Sequence, residues 1–238
     1  MAQTVPVAAL SEQMHIGGDL RFFQRRIIKQ AVFNVNRIVF SLKKESRWRV
    51  SVKGLGTYVL GASLMPRTLR LPGKQFNDYL REEGLERIVA ARTQEGVASD
   101  SSHERYAKHV KALVRVMSDM PVSFPGDTAY RRVLGYPAEI VPLDDPYHTS
   151  VGDVVRFRAL LDGQPLGNQP VLVGGRTTDD RAVGERKLIT DANGLVRVRL
   201  DRRGTWYVKF IDMRRVPASA RDSVNYESKW ATLTFARL

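Results

Sequence analysis

The apolar positions of the chain repeat mostly every second residue. Across 35–42, Val35, Arg37, Val39 and Ser41 alternate with the more apolar set Asn36, Ile38, Phe40 and Leu42. That period belongs to a half-buried strand. Residues 47–52 and 57–64 predict two more strands, and Gly54 and Gly56 offer the positive φ that a hairpin between them needs. A short β-like run at 3–9 precedes them, followed by a turn at 15–19. Residues 20–33 fit neither period cleanly and read as a loop with partial order.

The period changes once. Phe76, Tyr79 and Leu80, then Leu85, Ile88 and Val89, recur at helical spacing, with Gly84 and Gly96 placed as C-terminal caps. Two short helices are predicted, at about 74–82 and 85–94. Ser101 with Glu104 has the form of a capping box and predicts one more helical turn. From Val110 the alternation returns through Ala112, Val114 and Val116.

Residues 118–136 carry Pro121, Pro125, Gly126 and Gly135 with few periodic apolar positions, as a linker would. Beyond them, strands are predicted at 138–141, 154–161, 170–174, 188–190, 195–200, 205–213 and 230–238. A polar loop fills 177–184, and Asn193-Gly194 signals a hairpin. The fold class is therefore all-β, with two immunoglobulin- or transthyretin-like sandwich domains. The first spans 1–120 and carries a helical insertion at about 74–106. A linker at 121–136 leads to the second, 137–238.

Composition narrows the function. With 43% hydrophobic and 26% charged residues in 238, the chain can bury a core. The absence of cysteine excludes disulfides, a thiol nucleophile and thiolate-held zinc or iron–sulfur clusters. The net charge of +13 favours anionic partners. Its densest stretch is 21–53, where ten Lys and Arg face only Glu45. No recognition-helix, zinc-finger or RNA-binding aromatic pattern accompanies that charge, so nucleic acid is not the expected partner. No run approaches the roughly 20 apolar residues that cross a bilayer. The first residues lack the basic and apolar regions of a signal peptide.

Enzyme signatures are missing from the sequence: GxSxG, SxxK and the phosphate loop do not occur. Asp144-Asp145 and Asp179-Asp180 read as turn residues. The candidate metal ligands are His15, His103, His109 and His148, with Asp145 as a carboxylate partner. Trp206, Tyr207, Phe210, Trp230 and Phe235 sit at strand periods, as core or sheet-face packing.

FNDYLREEGL at 76–85, ERY at 104–106 and KALV at 111–114 carry a resemblance. IVPL at 140–143, DPY at 145–147, TDANG at 190–194, GTW at 204–206, IDM at 211–213 and ESKWATLTF at 227–235 extend it. Over about 57–238 the chain resembles a bacterial family of unknown function, usually labelled as periplasmic components associated with nickel and cobalt uptake. The resemblance implies export to the periplasm and a non-enzymatic accessory or binding role, with nickel or cobalt as the candidate ligand. A metal-uptake transporter complex or another envelope protein would be the partner. It also implies a leader and a metal-binding N-terminal histidine that this chain does not show, so a start after the true N-terminus is expected. The rival expectation is a structural or adhesion-type module that binds a glycan, peptide or anionic partner through its basic first domain.

Overall fold

The computed structural model describes residues 55–117, 126–217 and 224–237 in full, and before them the backbone of four short strands. Three of those, β1 (Thr4–Pro6), β3 (Phe40–Ser41) and β4 (Arg49–Ser51), form a small sheet in the order β1-β4-β3. The fourth, β2 (Ile27–Phe33), pairs antiparallel with β5 (Gly56–Leu64). Two expectations are corrected here. The stretch at 27–33 is a strand, and among the described residues β4 pairs with β1 and β3 and β5 with β2 and β7, not with each other.

The largest unit is an eight-stranded sheet ordered β12-β11-β14-β15-β7-β5-β2. Its added members are β7 (Ser102–Val116), β11 (Pro170–Arg176), β12 (Ala182–Ile189), β14 (Gly204–Arg215) and β15 (Tyr226–Arg237). The eighth strand, β6 (Arg67–Leu71), shares the β5 side of β7: β5 pairs with its 109–116 end and β6 with its 102–106 end. At the centre β7 and β15 run parallel, from Tyr226 opposite Glu104 to Thr234 opposite Ala112. Strands from both sides of 121–136 thus lie in one sheet.

A second sheet holds β8 (Ala138–Pro142), β9 (Val154–Leu161), β10 (Gln164–Pro165) and β13 (Leu195–Arg199). Period-two alternation packs the two sheets face to face. Val155, Phe157, Val196 and Val198 from the small sheet meet Trp206, Val208, Phe210, Leu233 and Phe235 from the large one in a single apolar core. Val59 and Leu113 belong to it as well. So do Tyr130, Leu134 and Tyr136 from the expected linker, of which 118–125 lies outside the described residues. The fold is sandwich-like and mostly β.

Helices α1 (Gly73–Glu82) and α2 (Glu86–Gln94) fall where the apolar stripe places them. Gly84 joins them at φ +74°, and Gly96 ends α2 at +71°. Phe76, Leu80, Leu85 and Ile88 dock on Ile211, Met213 and Tyr226, covering one end of the large sheet's outer face. A buried guanidinium, Arg92, locks this docking. It donates to Asn77 Oδ1 (2.8 Å), Ser102 Oγ (2.5 Å) and the carbonyls of Val97 (2.9 Å) and Asp100 (2.8 Å).

Three more expectations change. Ser102 already begins β7, so the Ser101/Glu104 pattern is not a helix cap. The ladder to β6 and β15 outcompetes a single helical turn. Strand β12 starts at Ala182, inside the expected loop, after a bulge at Gly174. Asn193-Gly194 turns the chain between sheets, from β12 to β13, and only Gly194 takes positive φ. Asp191 Oδ1 fixes that turn by accepting from Asn193 N and Leu195 N, 2.9 Å each.

Candidate functional site: a charged groove on the open sheet face

Beyond the helices, the same outer face of the large sheet stays open and forms a groove of about 480 Å³. Strand alternation sets its floor: Tyr207 and Lys209 from β14, Trp230 and Thr232 from β15, Lys108 and Val110 from β7. One wall is the C-terminal end of α1 with Glu82 and Glu83. The other is Val183, Gly184 and Glu185 of β12, the last strand on that side of the sheet.

The floor is built from interlocked charges and rings. Lys209 Nζ sits 2.9 Å from Glu185 Oε1. It lies 3.0 Å from Glu83 Oε2, an ion pair in distance though not in hydrogen-bond direction. Burial opposes the ammonium charge, but the two carboxylates outweigh it and raise the lysine above its usual range. Tyr207 donates to Glu185 Oε1 at 2.5 Å. Burial and that carboxylate push its hydroxyl up, so it remains a donor. Its ring lies over Gly174, where an added Cβ would meet the Tyr207 oxygen at 2.4 Å. A side chain there would force the Tyr207 ring to shift.

Trp230 stacks on Tyr79 of α1, with centroids 6.2 Å apart and planes 12° apart. Lys108 Nζ lies 4.1 Å from the Trp230 ring centre, within cation–π range. Behind them Glu104 is fully buried. Its Oε1 accepts from Tyr79 (3.2 Å) and from Ser228, which itself accepts from Trp230 Nε1 (3.0 Å). Burial raises the Glu104 carboxyl, and the hydrogen bonds from Ser228 and Tyr79 pull it back. The helix pair and the groove floor therefore form one hydrogen-bonded unit.

The sequence-predicted ligands lie elsewhere. His15 is outside the described residues. His103 and His109 share a face of β7 but stand about 20 Å apart along the strand. His109 is buried on the core side, with Nδ1 2.8 Å from Ser63 Oγ and the ring beside Tyr136. Burial depresses it to about 4. Asp145 and His148 do meet, Oδ2 to Nδ1 at 3.2 Å. The same Oδ2 pairs with buried Arg115 at 2.6 Å, and Oδ1 accepts from Tyr147 N. Among the described residues no three histidine or carboxylate side chains gather as a metal site would require. The sequence pattern missed Lys108, Tyr207, Lys209 and Trp230 as a group, because their common face depends on the β7–β15 and β14–β15 registers.

A model for a domain of unknown function (DUF4198) matches residues 31–212, more than half of the chain. The chain belongs to this family. The matched span contains most of the groove, from Glu82 to Lys209, while Trp230 and Thr232 follow it. No curated protein and no solved structure matches.

Proposed function

We propose that this family member is a non-catalytic binding module of the cell envelope that works through the groove. The observation that carries the reading is the groove's composition. Both signs of charge, two aromatic rings and a strand edge converge on one open surface. Such a surface selects a ligand that is itself polar and carries both an amine and a carboxylate. A peptide segment is the class that fits. Lys108 and Lys209 offer donors to carboxylates, and Glu82 and Glu185 offer acceptors to amines. The side of β12 that pairs with no strand among the described residues can add main-chain hydrogen bonds to an extended peptide.

We propose further that this role lies beside nickel or cobalt uptake in the periplasm, with a transporter complex as the source of the peptide; the motif resemblance over 57–238 is what supports this part of the reading. A direct metal role would have to recruit the Asp145–His148 pair in competition with Arg115. The finer fold reading, an immunoglobulin- or transthyretin-like sandwich, is supported by the small sheet packing on the β11-β14-β15 part of the large one.

Calorimetric titration of a short mixed-charge peptide library, with nickel and cobalt chlorides as separate titrants, tests the proposal. Peptide binding that Trp230→Ala and Glu185→Gln weaken at least tenfold is expected. Peptide binding insensitive to both variants, or metal binding alone, would sink it.

A further inference from the structure

On the opposite side of the molecule, the solvent face of the small sheet carries four arginines on two adjacent strands. Strand alternation turns Arg156 and Arg158 of β9 and Arg197 and Arg199 of β13 outward, while Val155, Phe157, Val196 and Val198 turn into the core. The register sets Arg156 directly opposite Arg197, with Arg158 opposite Leu195 and Arg199 opposite Val154. Like charges directly opposite on neighbouring strands destabilise a sheet, and local partners offset only part of that cost. Arg156 alone is answered, by a fork from its Nε and Nη2 to Asp144 at 2.9 and 2.7 Å. Among the described residues, the Arg199 guanidinium reaches the Gly152 carbonyl, at 2.9 Å, and no carboxylate. Among the described residues, Arg158 and Arg197 have no carboxylate partner, and Arg158 Nε is buried without an acceptor.

We infer that this arginine ladder is a binding strip for an extended phosphate-bearing polyanion. The guanidinium fork matches phosphate oxygens two at a time, and all four cations are arginine. Neighbours on one strand stand about 7 Å apart and those across the pair about 5 Å. The strip is thus narrow and long, the shape that takes successive charges of one chain. It is independent of the groove, which lies on the other sheet, and it falls outside the basic stretch at 21–53.

The test is binding of fluorescently labelled inorganic polyphosphate to the full chain at several salt concentrations. Arg158→Glu/Arg197→Glu should weaken binding at least tenfold and reduce the salt slope by about two. Arg70→Glu/Arg81→Glu, the same charge change on other surfaces, should leave affinity within about twofold. Far-UV circular dichroism checks folding, and the exposed single variant Arg197→Gln, expected to lose several-fold, serves if the double variant misfolds. Equal losses in both double variants would overturn the inference, leaving only general attraction to a protein of charge +13. So would binding to anionic-lipid vesicles or to poly-glutamate that polyphosphate cannot displace.

Discussion

Glu139 is the residue whose loss should be felt furthest. Its carboxylate is fully buried and takes Lys111 Nζ at 2.8 Å, and both side chains are at most 2% exposed. Oε1 also accepts from Leu134 N at 2.7 Å, and Oε2 from Gly135 N and Tyr136 N at 3.0 and 3.3 Å. Lys111 donates a second time to the Arg132 carbonyl. One ion pair therefore ties β7 of the large sheet, the 132–136 segment and β8 together. Glu139→Ala leaves a buried ammonium whose carboxylate partner is gone and removes the acceptor from three backbone donors. Breaking a buried pair from one side costs about 3–5 kcal/mol. Each orphaned donor that water cannot reach adds about 1–3 kcal/mol.

Lys111→Met should cost less, because Glu139 keeps its three backbone donors and the apolar stem is replaced in kind. Urea unfolding of the purified chain, followed by tryptophan fluorescence and circular dichroism together, measures both. The expected order is Glu139→Ala well below Lys111→Met, and Lys111→Met below wild type. A Glu139→Ala loss under about 1 kcal/mol would refute the reasoning, as would equal losses in the two variants.

Acid should destabilise the protein partly through His109. Its folded value of about 4, set by burial and the neighbouring Lys229 charge, lies below the ordinary 6.5. The unfolded chain therefore binds the proton first, and stability falls as pH drops from about 6.5 through about 4. The full loss is roughly 3 kcal/mol, and His109→Gln should flatten that part of the pH–stability curve. Arg92→Lys should lower stability by about 2–4 kcal/mol in denaturant titration, because an ammonium cannot reach acceptors spread over Asn77, Ser102, Val97 and Asp100. Gly174→Ala should cost about 1–3 kcal/mol by displacing the Tyr207 ring. It should also weaken peptide binding in calorimetry, since Tyr207 forms part of the groove floor.

The sequence by itself determined the local elements. Period-two runs specified strands, the Phe76–Val89 stripe specified two helices, and Gly84 and Gly96 marked their ends, because side-chain direction along a strand or helix is set by backbone geometry alone. Its resemblance to a family of unknown function agrees with the domain match over 31–212. It misjudged 27–33 and the Ser101/Glu104 pattern, where pairing with distant strands overrides a weak local preference. The tertiary structure alone decided which strands are neighbours. The parallel β7–β15 pair joins residues more than a hundred positions apart in the chain, and no periodicity encodes that register. The groove and the arginine ladder both depend on such registers. Lys108, Trp230, Lys209 and Glu185 come from four strands, and the opposition of Arg156 to Arg197 appears only once β9 lies beside β13. Alternation settles which face a side chain takes, and strand order settles whose company it keeps there.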